Sequence, residues 1–261
     1  MKRSVLLILV LVPFFSFARD PFTIEPYTEF RMFGWKEFGD DGSELLKESG
    51  TLYSFGAVPR FYFDEKGRIF AQADAMVYFG TVDYNGFLQD NLGNRTPYNT
   101  KTAYFGFELA TSAAYVLPLS PKFDLTPRAG FGFEYWNRDL DNGGASGYDE
   151  KYTVIYFEAA VGGDYKVNKS IQFFSSFGMK IPFSISESID QASRGQGGPS
   201  NISLSPGISP RFRFSAGTMI HNATLEFSYE TWTLVKSNQD QGFLQPESTR
   251  KIFGIRLGYV L

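Results

Sequence analysis

The sequence contains no cysteine and a single histidine, His221. Without cysteine, the chain can form neither a disulfide framework nor a thiolate metal site. A single histidine also excludes a histidine-rich metal site, and we predict no metal and no cofactor. Acidic residues outnumber basic residues, 28 to 25. This balance argues against nucleic acid as a partner, because binding it requires a basic surface.

Long apolar runs are also scarce, and the clearest one lies at the N-terminus. It extends from Val5 to Phe17 after a short basic start. This length suits the core of a signal peptide, whereas a membrane-spanning helix needs about 20 residues. We expect cleavage after Ala18, which gives a signal peptide over residues 1–18 and a single domain over residues 19–261. The domain would carry 23 basic and 28 acidic residues, a net charge of −5.

The rest of the chain has no convincing amphipathic helix, and the only short candidate is Ser43–Ser49. Instead, apolar and polar residues alternate in ten segments, as they do in strands with one apolar face. The predicted strands span about residues 23–33, 52–63, 68–79, 102–117, 123–137, 152–165, 171–185, 204–220, 223–235 and 251–261. The apolar face of the last segment consists of Phe253, Ile255, Leu257, Tyr259 and Leu261.

The connections between these segments alternate in length. Long connections are predicted near residues 35–50, 81–101, 138–151, 186–203 and 236–249. Short ones are predicted near 64–67, 118–121, 167–170 and 221–222. This pattern, with strands of about 10–15 residues, predicts an all-β fold: a transmembrane antiparallel up-and-down β-barrel of about ten strands. Eight or twelve strands remain open, as does a soluble sandwich or lipocalin-like barrel, because alternation alone does not say which face meets lipid.

These features resemble the small outer-membrane β-barrel proteins of Gram-negative bacteria. The resemblance rests on the signal peptide, the ten alternating segments and the C-terminal strand. It implies location in the cell outer membrane, contact with outer-membrane lipid, and recognition of the C-terminal strand by the barrel-assembly machinery. In that family the final residue is usually aromatic, and Leu261 departs from this pattern.

Charged residues on the polar faces are the best functional candidates. An Arg or Lys facing lipid at mid-membrane costs about 2–4 kcal/mol, so these side chains should face the lumen. They are Arg31, Arg60, Asp74, Glu108, Arg128, Glu134, Glu158, Lys180, Arg211, Arg213, Glu226, Glu230 and Arg256. Both signs occur in similar number. The side chains could form a paired network that fills a narrow interior, or they could line a narrow polar pore.

Three functions follow from this pattern. We favour a structural or surface-interaction role through the long extracellular loops, with an unknown extracellular ligand. A narrow channel for small polar solutes is the alternative. A rim-located enzyme is disfavoured, because omptin-type proteases of similar architecture need an Asp–His pair at the extracellular rim and His221 is predicted at the opposite end.

Asp139–Gly144 resembles the start of a calcium loop, but it lacks the downstream Glu of an EF-hand.

Overall fold

The computed structural model describes residues 21–89, 95–140, 148–190 and 202–261. Ten long antiparallel strands form one sheet, in which each strand pairs with its neighbours in sequence. Their bounds are β1 (Phe22–Phe38), β2 (Glu44–Tyr62), β3 (Ile69–Gln89), β4 (Arg95–Tyr115), β5 (Phe123–Leu140), β6 (Asp149–Lys166), β7 (Ile171–Asp190), β8 (Arg211–Ile220), β9 (Ala223–Leu234) and β10 (Glu247–Tyr259). β1 also pairs with β10, from Tyr27–Gly258 to Phe38–Glu247. This pairing closes the sheet and confirms the predicted ten-stranded antiparallel barrel.

The two ends of the barrel differ in their connections. At one end, called the turn end, lie the connections 63–68, 116–122, 167–170 and 221–222, together with both ends of the sheet-forming chain. The other end, called the loop end, holds the opposite ends of these strands, and of its connections the structure describes 39–43, 205–210 and 235–246. Among the described residues, no helix is long and apolar enough to cross a membrane.

The strands continue further toward the loop end than the sequence predicts. β1 ends at Phe38 instead of about residue 33, and β2 begins at Glu44 instead of about residue 52. The helix candidate Ser43–Ser49 is therefore wrong, since most of it is strand. In this part of the barrel the outward side chains are polar, as at Lys47, while inward ones such as Leu46 are buried. The apolar alternation that marks the other strand segments is inverted here, and this region was predicted to be loop.

The eighth strand is interrupted, although the sequence predicts one segment over about 204–220. Ile202–Leu204 pairs with β7, and the chain then leaves the sheet until β8 begins at Arg211. Pro206 and Pro210 lie in the interruption. Proline lacks the backbone N–H that a central strand must donate, which explains the break.

The two faces of the barrel hold different aromatic residues. Large exposed apolar side chains form a belt on the outer surface, and the aromatic ones among them are mostly Phe. Examples are Phe30, Phe55, Phe79, Phe105, Phe131, Phe177, Phe214 and Phe253. All three tryptophans, Trp35, Trp136 and Trp232, are buried in the interior. Trp and Tyr carry a polar group that needs a partner when buried, whereas Phe does not, and the interior supplies those partners.

Candidate functional site in the barrel lumen

The middle of the lumen is crossed by a network of buried ion pairs. At its centre Glu134 of β5 accepts hydrogen bonds from Arg211 at 2.6 Å and from both terminal nitrogens of Arg250 at 3.0 and 3.1 Å. Glu230 of β9 lies 3.4 Å from Arg211 and 3.3 Å from Arg250. All four side chains are buried. Charge-assisted, partly bidentate pairs of this kind hold planar groups in one orientation.

Lysine and aromatic rings extend this network. Lys180 Nζ lies 2.6 Å from Glu108 and 3.1 Å from Glu230. The guanidinium of Arg211 lies 4.4 Å from the ring centroid of Trp232, and that of Arg250 lies 4.9 Å from the ring centroid of Trp136. Cation–π contacts at these distances are favourable, more so away from water. Charged groups and aromatic rings from several strands therefore meet at this level of the barrel.

One arrangement, in which a tyrosine ring occupies the space beside a cross-strand glycine, occurs three times among the described residues. A tyrosine lies across a glycine of the neighbouring strand, and its hydroxyl donates to a carboxylate one strand further on. The three sets are Tyr27, Gly56 and Asp74; Tyr78, Gly106 and Glu134; and Tyr156, Gly132 and Glu108. In each set the tyrosine and glycine are direct cross-strand partners. The ring thus occupies the space that a side chain at the glycine would fill.

The loop-end part of the lumen has more acidic than basic groups. Arg138 Nη1 lies 2.6 Å from Glu150 and 3.2 Å from Glu37, and its Nη2 lies 3.1 Å from Glu48. Glu187 is also buried, and it forms no ion pair with any residue in the described ranges. Among the residues that the structure describes, four buried carboxyl groups therefore accompany one guanidinium in this layer.

The turn-end half of the lumen is open. It holds a cavity of about 610 Å³. Its wall includes the ion pairs Arg60–Glu25, Arg128–Glu158 and Arg213–Glu226, at 3.3, 3.4 and 3.1 Å. Arg256 also lines it, and its guanidinium lies 3.8 Å from the ring centroid of Tyr27. Positive and negative groups both line this space, so it has no dominant sign of charge.

All thirteen charged residues selected from the sequence lie in the described strands. The buried ones are Arg31, Glu108, Glu134, Lys180, Arg211, Glu230 and Arg256; the half-buried ones are Arg60, Asp74, Arg128, Glu158, Arg213 and Glu226. The middle network joins Glu108, Glu134, Lys180, Arg211 and Glu230. Whether any of them has a role beyond packing stays a prediction.

The selection missed several interior charges. They are Glu25, Glu29, Glu37, Glu48, Arg138, Glu150, Glu187 and Arg250. Glu25 and Glu29 share a strand face with Arg31, so the same alternation would have found them. The others lie in strand extensions, where the sequence predicts loops or strand ends.

Residues considered for catalysis or metal binding lie apart from this network. His221 occupies the turn between β8 and β9 at the turn end, with φ 56° and its backbone N–H bonded to Ser170 at 2.7 Å. In the described parts of the chain, no group of three or more His, Asp or Glu side chains could hold a metal ion. Most of Asp139–Gly144 lies outside the described residues.

The C-terminal residues complete the barrel seam. Phe253, Leu257, Tyr259 and Leu261 are exposed on the outer surface, and Ile255 is partly exposed. Leu261 and Ile24 exchange two backbone hydrogen bonds, at 2.8 and 3.2 Å. Recognition of this strand by an assembly machinery stays a prediction.

Comparison with known proteins supports the fold. The sequence matches no known protein family and no curated protein. Among solved structures, the outer membrane protease OmpT from Escherichia coli has a TM-score of 0.59 at 10% identity, over 95% of this chain and 99% of that chain. The translocator domain of the autotransporter NalP from Neisseria meningitidis has a TM-score of 0.44 at 12% identity, over 90% and 88% of the two chains. An outer membrane channel from Pseudomonas putida F1 has a TM-score of 0.42 at 11% identity, over 92% and 96%. At these identities the likeness concerns the fold alone, and the chain has the fold of the Gram-negative outer-membrane β-barrels.

Proposed function

We propose that this protein is an outer-membrane β-barrel with a lumen closed to solutes, which serves a structural or surface-interaction role. The turn end would face the periplasm and the loop end the cell exterior. The observation that carries the proposal is the buried network around Glu134, Arg211 and Arg250, since these side chains meet across the lumen. A conducting pore needs a continuous water-filled path. The layer of buried side chains around Glu134 supports a lumen that is closed to solutes instead.

Insertion in the membrane is supported by the outer surface. Phenylalanines such as Phe55 and Phe131 are more than half exposed, at 54% and 60%. A continuous belt of such residues is unfavourable in water but suits the hydrocarbon region of a bilayer. The mature chain is therefore expected in the outer-membrane fraction, and in solution only with detergent. A mature chain that is monodisperse without detergent would contradict this part of the proposal.

Planar-bilayer recording tests the closed lumen. The wild-type barrel should give no unitary conductance steps, whereas Glu134→Ala combined with Arg250→Ala should give steps because it removes groups that bridge the lumen. A matched control, Phe131→Ala combined with Phe214→Ala, removes side chains of the outer belt and should stay silent. Reproducible unitary steps from the wild-type protein would overturn the closed-lumen proposal.

A surface role can be tested at the loop end. Deleting residues 191–201 leaves β7 and the short pairing segment Ile202–Leu204 intact. Cells that carry the full-length protein should adhere to surfaces better than cells without it, and the deletion should abolish that difference. Unchanged adhesion with normal amounts of folded barrel would count against interaction through this connection.

A narrow channel for small polar solutes is the second candidate. The cavity of about 610 Å³ at the turn end favours it, because half of the path already exists. This candidate requires the middle network to rearrange, and it predicts wild-type conductance in the bilayer experiment.

A further inference from the structure

Three lysines lie close together on the outer surface of β10, β1 and β2. Lys36 and Lys47 are direct cross-strand partners, and Lys251 is diagonal to Lys36, which pairs with Thr249. The Cβ atoms of direct partners on one face are about 5 Å apart, and diagonal neighbours are about 7–8 Å apart. Lysine side chains are long enough for all three ammonium groups to contact one small anion.

The charges of this patch are only partly compensated. Lys36 Nζ lies 2.5 Å from Glu44 Oε2, and both side chains are nearly half exposed. Lys47 and Lys251 are exposed, and neither forms an ion pair with any residue in the described ranges. Like charges directly opposite each other destabilise a sheet. An anion bound between the lysines would remove this repulsion.

The surface between the lysines includes a glycine, Gly34, and so lacks a side chain there. Gly34 lies between Lys251 on one side and Ser49 on the other, in a single cross-strand row. A Cβ added at Gly34 would have its nearest neighbour 3.9 Å away, the backbone oxygen of Lys251. The absence of a side chain here leaves a shallow notch with a backbone floor beside the lysines.

The notch borders the apolar belt. The next cross-strand row toward the turn end is Phe253–Met32–Thr51, and the row after that is Ile255–Phe30–Tyr53. Phe253, Met32, Phe30 and Tyr53 are large exposed side chains. Cations are therefore placed at the edge of an apolar surface, as the binding of an anionic amphiphile requires.

We propose that the notch of Gly34, Lys36, Lys47 and Lys251 binds the phosphate headgroup of a lipid in the membrane leaflet at the loop end. The acyl chains of that lipid lie along the rows of Phe253, Met32 and Phe30. The site rests on the proposed insertion of the barrel in a membrane. It does not depend on whether the lumen conducts.

Lipid binding to the folded mature barrel in an uncharged detergent tests the site. The probe is lipid A, a phosphorylated and acylated disaccharide, and the measurement is native mass spectrometry over a titration. Lys36→Gln, Lys47→Gln and Lys251→Gln combined should raise the Kd at least about ten-fold, because each lysine near an anionic headgroup contributes to binding. The control removes the same number of charges: Lys101→Gln, Lys151→Gln and Lys236→Gln combined. All three residues are exposed at the loop end of the barrel, and Lys101 lies opposite Asp83.

The outcomes separate the possible explanations. A higher Kd for the triple variant with an unchanged control supports the site, as does weak binding of the same lipid after removal of its phosphates. An equal rise in the Kd of both variants would show that binding depends on the total charge of the barrel, and this result would overturn the proposal. Displacement of lipid A by an equal concentration of inorganic phosphate would assign the notch to free phosphate and overturn the lipid assignment. Failure of membrane insertion would be distinguishable, since the mature chain would then be monodisperse without detergent.

Discussion

Arg250 and Glu134 join opposite sides of the barrel through two parallel hydrogen bonds, of 3.0 and 3.1 Å. Arg250 lies on β10 and Glu134 on β5, five strands apart in either direction around the closed sheet. The two residues are 116 positions apart in sequence. A fork-to-fork pair between strands on opposite sides of the closed sheet fixes the distance between the opposite walls.

Glu134→Gln should strongly destabilise the barrel. The substitution keeps the shape of the side chain but leaves Arg211 and Arg250 buried with one carboxylate fewer between them. Loss of one partner from a buried ion pair costs about 3–5 kcal/mol. The measurement is urea unfolding of the refolded barrel in detergent. The control is Lys236→Gln, whose exposed pair with Asp40 should contribute at most about 1 kcal/mol. A similar loss in both variants would show that the lumen network adds no special stability.

Gly106→Ala should destabilise the barrel because the ring of Tyr78 occupies the space of the new methyl group. A Cβ at Gly106 would lie 2.4 Å from Tyr78 Cζ. Overpacking of this kind costs about 1–3 kcal/mol. Gly162→Ala is the matched control, because a Cβ there meets no atom closer than 3.6 Å. If the two variants unfold at the same urea concentration, the packing of the Tyr78 ring does not require a glycine at position 106.

Glu187→Gln and Glu48→Gln should change stability in opposite directions. Glu187 is buried without an ion-pair partner in the described part of the chain, so replacing its carboxyl group should raise stability by about 1–3 kcal/mol. Glu48 is equally buried, but it accepts hydrogen bonds from Thr102, Tyr104 and Arg138. Its substitution should lower stability. Unfolding midpoints measured side by side provide the comparison, and a stability loss in both variants would indicate that Glu187 has a stabilising partner.

Asp64→Asn should lower stability at neutral pH and have less effect in acid. Asp64 lies in the turn between β2 and β3, where its Oδ1 accepts the backbone N–H groups of Ile69 at 2.7 Å and Arg68 at 2.6 Å. These hydrogen bonds, that from Ile69 first, hold the pKa of the carboxyl below its ordinary value. A lowered pKa means that the stabilisation is complete above the unfolded pKa of about 4 and is lost as pH falls through the folded pKa.

The check for Asp64 is the difference in unfolding midpoint between wild type and variant across pH. That difference should be constant from about pH 7 to 5 and shrink below about pH 4. Glu65→Gln, in the same turn, is the control for the loss of one carboxylate charge. A difference that grows in acid would contradict the assigned role of the two backbone hydrogen bonds.

The strand regions within the outer belt could be predicted well from the sequence. Phe253, Leu257 and Tyr259 alternate with smaller or charged residues, and the structure places them on the outer surface. Toward the loop end the prediction failed, as at Leu46 and Lys47, because inward residues there are apolar and outward ones polar. Arg138, Glu150 and Arg250 lie in or beside those extensions and were therefore missed.

The sequence by itself determined which residues share a strand face, because this follows from a local repeat of two residues, whereas the structure decided that the strands number ten rather than eight or twelve. Only the tertiary structure decided that β1 pairs with β10 and that Glu134 meets Arg250. It also decided that Lys36, Lys47 and Lys251 converge on one patch. The reason is physical: these relationships join strands that are distant in the chain, and they depend on the closure and register of the sheet, which no local pattern encodes.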